Sequence, residues 1–126
     1  AAYGELFRCM GYAALLSGDD RAEKYLTSAI ERLADTDPEL FYYRGVLRLA
    51  REDYEEALVD FDAAIGLGYG TALAYYNRGV CYLTLEDYER LLADMQKVVE
   101  LNEDEELTQI AQQLIAELTV GSEQES

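Results

Sequence analysis

The stretch FYYRGVLRLAREDYEEALVDFDAA, residues 41–64, decides the fold. Gly45 sits in a run of apolar and aromatic residues, where a glycine in a helix costs about 1 kcal/mol relative to alanine. Close approach of a neighbouring helix is the physical reason to keep it. The run gives way to the polar turn Glu52-Asp53-Tyr54, and beyond it Ala57, Leu58, Phe61, Ala64 and Ile65 recur at three- and four-residue steps. That recurrence is one apolar stripe on a second helix. The stretch therefore predicts helix, short turn, helix, with the second helix pressed onto the first at Gly45.

The same pattern lies on both sides of it. Gly11, Gly45 and Gly79 are spaced 34 residues apart, and this register also aligns Phe7, Phe41 and Tyr75, then Leu15, Leu49 and Leu83, then Asp19, Asp53 and Asp87. In the first unit the second-helix residues Ala22, Leu26 and Ala29 fall into line only after a one-residue deletion in the turn. Arg44 and Asp60 are 16 residues apart, as are Arg78 and Asp94, and the first unit loses both members together, with Met10 and Tyr25 in their places. Joint loss predicts ion pairs across the hairpin, each worth ~0–1 kcal/mol if exposed. Arg48 stands where an apolar residue is expected, and the sequence offers no account of it.

Punctuation supports these divisions. Asp37-Pro38 reads as an N-cap followed by proline at the first helical position, and Gly66, Gly68 and Gly70 break the chain before the third unit. After that unit, Asn102-Glu103-Asp104-Glu105-Glu106 places negative charge at a helix start. Leu107, Ile110, Ala111, Leu114, Ile115 and Leu118 then form one apolar face, opposite Gln109, Gln112, Gln113 and Glu117. Such a helix is expected to cap a stacked array.

These residues resemble the tetratricopeptide repeat, a 34-residue helix–turn–helix unit. The second unit matches best, through Phe41, Gly45, Tyr54, Ala57, Phe61 and Ala64. The third keeps Tyr75, Gly79, Tyr82, Tyr88 and Met95, with Leu91 and Val98 where small residues are usual, and the resemblance spans about residues 4–102. It implies an all-α fold, a right-handed α-solenoid of three helix-turn-helix repeats with a seventh, capping helix. The expected organisation is a single domain over 1–119, with repeats at about 4–37, 38–71 and 72–103, a capping helix at about 104–119, and a flexible tail over 120–126.

Composition narrows function. Among 126 residues, 10 are basic and 26 acidic, for a net charge of −16, so the average field repels nucleic acid and anionic membrane surfaces. There is no histidine, the side chain most used for acid–base chemistry and for zinc. Cys9 and Cys81 have no companion ligands, and neither has a histidine to activate it. The expectation is a non-enzyme without metal or other cofactor, in a reducing, cytoplasmic setting. No apolar run approaches a membrane span, and the start, Ala1-Ala2-Tyr3-Gly4, without an initiator Met, suggests a piece of something longer.

A scaffold of this kind usually works through its concave face, lined by the first helix of each unit. Helical geometry places Arg8, Tyr12, Tyr42, Tyr43, Val46, Tyr76, Asn77 and Val80 on that face, together with Glu5, Cys9, Leu15, Glu39, Leu49, Leu73 and Leu83, so that few of its residues are charged. This aromatic and aliphatic set predicts a groove for a peptide segment of a partner protein, anchored by tyrosines, with the Asn77 amide bonding ligand backbone. Some tetratricopeptide domains clamp two carboxylates of a chaperone C-terminus with a Lys, Asn, Asn, Lys, Arg set. The corresponding residues here are Arg8, Tyr12, Tyr43, Leu73 and Asn77, which lack the converging cations such a clamp needs. The preferred partner is therefore apolar or mildly basic. The alternative is a structural or self-association module.

Overall fold

The computed structural model describes residues 3–33 and 37–125, with side-chain surroundings as far as Gly121. Seven helices follow one another in these residues: α1 (Gly4–Ser17), α2 (Ala22–Arg32), α3 (Pro38–Ala50), α4 (Tyr54–Gly66), α5 (Ala72–Thr84), α6 (Tyr88–Leu101) and α7 (Glu105–Glu125). The first six form three antiparallel hairpins, each packed on the next, and α7 closes against α6 and α5. The architecture is an all-α solenoid.

The glycines make each hairpin close. A Cβ on Gly11 would lie 2.7 Å from a Leu26 methyl, one on Gly45 2.9 Å from the Phe61 ring, and one on Gly79 2.4 Å from the Met95 methyl. Leu26, Phe61 and Met95 are fully buried. Leu26 follows its glycine by 15 residues, whereas Phe61 and Met95 follow theirs by 16. The one-residue deletion expected in the first unit is real, and it is absorbed in the turn.

Those turns share one geometry. Gly18, Glu52 and Glu86 occupy equivalent places 34 residues apart, and all have left-handed backbone, with φ of 72°, 65° and 61°. In each, the next amide reaches back five residues, from Asp19 to Ala14, Asp53 to Arg48 and Asp87 to Tyr82. This double-bonded ending satisfies carbonyls that the helix leaves open. Only the first unit has the glycine that the conformation favours.

Caps fix the remaining boundaries. The Asp37 side chain accepts from the Glu39 amide with Pro38 at the first helical position, as expected. Thr71 caps α5, Asp87 caps α6, and Asp104 accepts from the Leu107 amide to open α7. Gly68, with φ of 105°, makes the break before the third unit. Glu103 does more than supply charge: its carboxylate accepts from the Ala72 amide at 3.2 Å, tying the end of the third unit to its start.

The capping face is nearly as the sequence draws it. Ala111 is fully buried, and Leu107, Leu114, Ile115 and Leu118 pack on a core of Leu91, Met95 and Val98. Ile110 is the exception, 39% exposed at one edge of the stripe, while Thr108 at the other edge is buried and donates to the Asn102 side chain at 3.2 Å. The expected tail also differs. α7 runs past residue 119 to Glu125, passing through Gly121 and Ser122 with no proline to stop it. Ser126 lies outside the described residues.

A glutamate in left-handed backbone is strained by roughly 1–2 kcal/mol, part of which glycine recovers. Glu86→Gly should therefore stabilise the chain by about 0.5–1 kcal/mol in urea denaturation. A loss of stability would mean that the Glu86 side chain contributes something its exposed position does not suggest.

Candidate peptide-binding groove

The two expected ion pairs are present and form part of a larger network. Arg44 donates to both Asp60 oxygens at 3.0 and 2.8 Å, and Arg78 donates to both Asp94 oxygens at 3.0 and 2.7 Å. Asp60 is 1% exposed and Asp94 3%. The small value appropriate to exposed pairs does not apply to such sites. Burial pushes the Asp94 carboxyl above its ordinary value, against the pull of the Arg78 hydrogen bonds.

Arg48 now has its explanation. Its guanidinium donates to Asp60 at 3.0 Å and to Glu23 of α2 at 3.0 Å, and Arg51 also pairs with Glu23. Arg44 additionally reaches the Thr27 hydroxyl of α2, and Arg78 reaches Asp62 of α4. Each arginine thus joins its own hairpin to the preceding unit. The sequence spacing revealed the Arg44–Asp60 and Arg78–Asp94 contacts; the Arg48–Asp60 contact and those between units needed the structure.

This frame sets out the first helices α1, α3 and α5 in order, and the site residues divide among several environments. Tyr12 and Tyr43 meet edge to face at 5.4 Å, as do Tyr42 and Tyr43. A cleft of about 250 Å3 opens beside them, lined by Tyr12, Leu16, Glu39 and Tyr43. Helical phase puts Glu39 on the concave face, but the sequence reading did not select Leu16. Leu16 could have been noticed as a leucine that the equivalent places of the other units do not repeat.

Tyr42 is not an exposed anchor. It is 6% exposed, packed on Phe61 and Tyr69, and its hydroxyl accepts from the Asn77 amide at 3.0 Å. Burial pushes that hydroxyl up to about 12. The position expected to face a ligand instead faces the core because Tyr69, in the connection between α4 and α5, covers its ring. Asn77 spends one amide hydrogen on this bond.

Tyr76 is half-buried and separate from the Tyr12–Tyr43 pair, packed against the third core with α7. Val46 lies partly buried on the second core, and Val80 is half-buried. Leu15 and Leu49 pack between helices, whereas Leu73 and Leu83 are 49% and 40% exposed. Arg8 is held by Glu5 and by Asp37, the latter at 3.6 Å. It supplies no free cation for a carboxylate clamp. The Tyr12 hydroxyl is buried without a hydrogen-bond partner among the described residues, and burial pushes it up to about 12.

With this geometry in place, residues 72–105 match the family model described as tetratricopeptide repeat. The third unit is a tetratricopeptide repeat. The second unit carries more of the expected motif residues, yet the match falls on the third.

Solved structures extend the tetratricopeptide fold to nearly the whole chain. PcrH of Pseudomonas aeruginosa, in complex with the chaperone binding region of PopD, is 20% identical, with a TM-score of 0.79 over 94% of this chain and 92% of PcrH. The Yersinia enterocolitica type III secretion chaperone SycD, in complex with a peptide of the translocator YopD, is 15% identical, with a TM-score of 0.82 over 97% and 96% of the two chains. The TPR2B domain of yeast Sti1, in a complex with pHsp70, is 20% identical, with a TM-score of 0.74 over 96% and 99%. A search by sequence finds no matching curated protein. Among the described residues, no helix is long and apolar enough to cross a membrane.

The ion network has a measurable consequence. Asp60→Ala would leave two guanidinium groups without their buried acceptor, and breaking a buried pair from one side costs about 3–5 kcal/mol. Asp94→Ala removes the acceptor of one arginine that keeps Asp62. Urea denaturation should therefore show the larger loss for Asp60→Ala, and equal losses would refute the shared role of Asp60.

Proposed function

We propose that the chain is a non-catalytic interaction scaffold that binds a peptide segment of a partner protein along its first helices. The observation that carries this reading is the run of half-buried, uncharged side chains Tyr12, Tyr43, Val46, Tyr76, Asn77 and Val80 on α1, α3 and α5. Arg8, the cation nearest this run in the expected set, is neutralised by its own carboxylates. Tyr42 acts from beneath, holding the Asn77 amide in place and leaving that amide's carbonyl oxygen and second N–H for ligand backbone.

The solved structures with the same fold support the reading, since several hold a segment of another protein. The mainly apolar groove, with Glu39 at its Tyr12–Tyr43 end, and the acidic chain around it favour an apolar or mildly basic peptide over nucleic acid or membranes. Free Cys9 and Cys81, with Cys81 buried and its thiol pushed up to about 11, suit a reducing cytoplasmic setting.

The test is selection from a random peptide library displayed on phage, followed by calorimetric affinities for the chain and its Tyr43→Ala, Tyr76→Ala double variant. Selected peptides should be apolar or mildly basic and insensitive to salt. The folded variant should bind them about 30-fold more weakly, the equivalent of ~2 kcal/mol for central anchors. Undiminished binding by a variant of unchanged helicity would remove the site from the first helices.

A further inference from the structure

The cleft between α1 and α3 holds a charge that no described residue neutralises. About 250 Å3 in volume, it is lined by Tyr12, Leu16, Glu39 and Tyr43. The neighbouring carboxylates of Glu5 and Asp37 are taken up by Arg8, whereas half-buried Glu39 has no cation of its own among the described residues. Three carboxylates thus face one guanidinium. Their field reaches two hydroxyls: burial and then Asp37 and Glu39 push that of Tyr12 up, and burial, Tyr43, Glu39 and Asp37 push up that of Tyr69.

The walls are aromatic as well as acidic. The Tyr12 and Tyr43 rings stand 80° apart with centroids separated by 5.4 Å. One ring standing on the face of another leaves a corner walled by a π face from each, and those faces are the negative side of the ring quadrupole. The Tyr12 hydroxyl oxygen is buried, so Tyr12 offers the cleft its ring rather than a hydrogen bond. Tyr43 is braced by the buried Tyr42, also at 5.4 Å, and Tyr42 in turn packs on Phe61. The corner is therefore built in advance of any occupant.

Together these walls select what enters. An apolar side chain would strip water from the Glu39 carboxylate and return nothing, and an anion would be repelled by it. A cation satisfies both walls, attracted by the ring faces and paired with the carboxylate. Arginine fits better than lysine, since a planar guanidinium can stack on one ring and still aim N–H donors at Glu39.

Resting on the peptide-binding reading above, we infer that the corner of Tyr12, Tyr43 and Glu39 is a pocket for one cationic side chain of the bound peptide, with arginine preferred. The pocket sits at the α1 end of the groove, away from Tyr76 and Val80 of α5, and so fixes the direction in which the peptide lies. One half-buried ion pair is weakly screened and adds little salt dependence to binding.

NMR titration of the whole chain with acetyl-arginine amide, at about 1–50 mM and constant ionic strength, tests the pocket. The ring protons of Tyr12 and Tyr43 should shift and saturate. Acetyl-citrulline amide, the same shape without the charge, should bind roughly fivefold more weakly, and Glu39→Gln should weaken the arginine probe by a similar factor. Glu55→Gln removes the same charge from an exposed place on α4 and should leave the probe unaffected. Tyr43→Leu, which keeps the apolar bulk but not the ring face, should cost the arginine probe affinity without altering the first turn of α3. No binding across the range, equal binding of the two probes, equal effects of Glu39→Gln and Glu55→Gln, or shifts outside the cleft would overturn the pocket. Failure of the groove itself shows differently, as selected peptides whose affinity ignores Tyr76→Ala, a residue that does not line the pocket.

Discussion

Everything in this chain is organised around one contact, the pressing of a bulky second-helix side chain onto bare backbone in the first. Leu26 on Gly11, Phe61 on Gly45 and Met95 on Gly79 set how closely each hairpin's helices lie. Around the first two contacts the flanking positions are small, Ala22 and Ala29, then Ala57 and Ala64, whereas the third hairpin buries Leu91 and Val98 in their places. The propensity cost of each glycine is offset by dispersion attraction between the closely packed helices.

Apolar contact alone does not fix the order and register of stacked hairpins, since alanine and leucine faces can slide. The arginines add direction. Arg44, Arg48 and Arg78 each bind a carboxylate of their own hairpin or its neighbour in a fixed fork, and the carboxylates at the centre, Asp60 and Asp94, are almost wholly buried. A displaced hairpin would strand these charges without partners. At the far end the task passes to α7, where Leu107, Leu114, Ile115 and Leu118 cover the last hairpin without ion pairs of their own.

The fold was legible because its signals are periodic and local: a glycine phase, an apolar stripe, a cap, an arginine and its carboxylate at constant spacing. Arg48 was opaque because its own-hairpin acceptor Asp60 was already assigned to Arg44, and its other partner, Glu23, lies 25 residues away in the neighbouring unit. The groove was legible only in outline. Tyr12 and Tyr43 do meet, and Asn77 reaches Tyr42, but helical phase gave Tyr42 to the same face as Tyr43 without knowing that Tyr69 would cover it. Ile110 went astray for a related reason, since its stripe was wider than the surface available to bury it.

The shortened first turn has a wider meaning. Leu26 reaches Gly11 as surely as Phe61 reaches Gly45, although the chain between them is one residue shorter. What is inherited from unit to unit is therefore a point of touch rather than a length. Exposed turns can gain or lose a residue while the interior keeps its phase, so a periodic ancestry can fade from the spacing of a sequence long before it fades from the shape. In this chain the arithmetic of the repeat is elastic outside and rigid within.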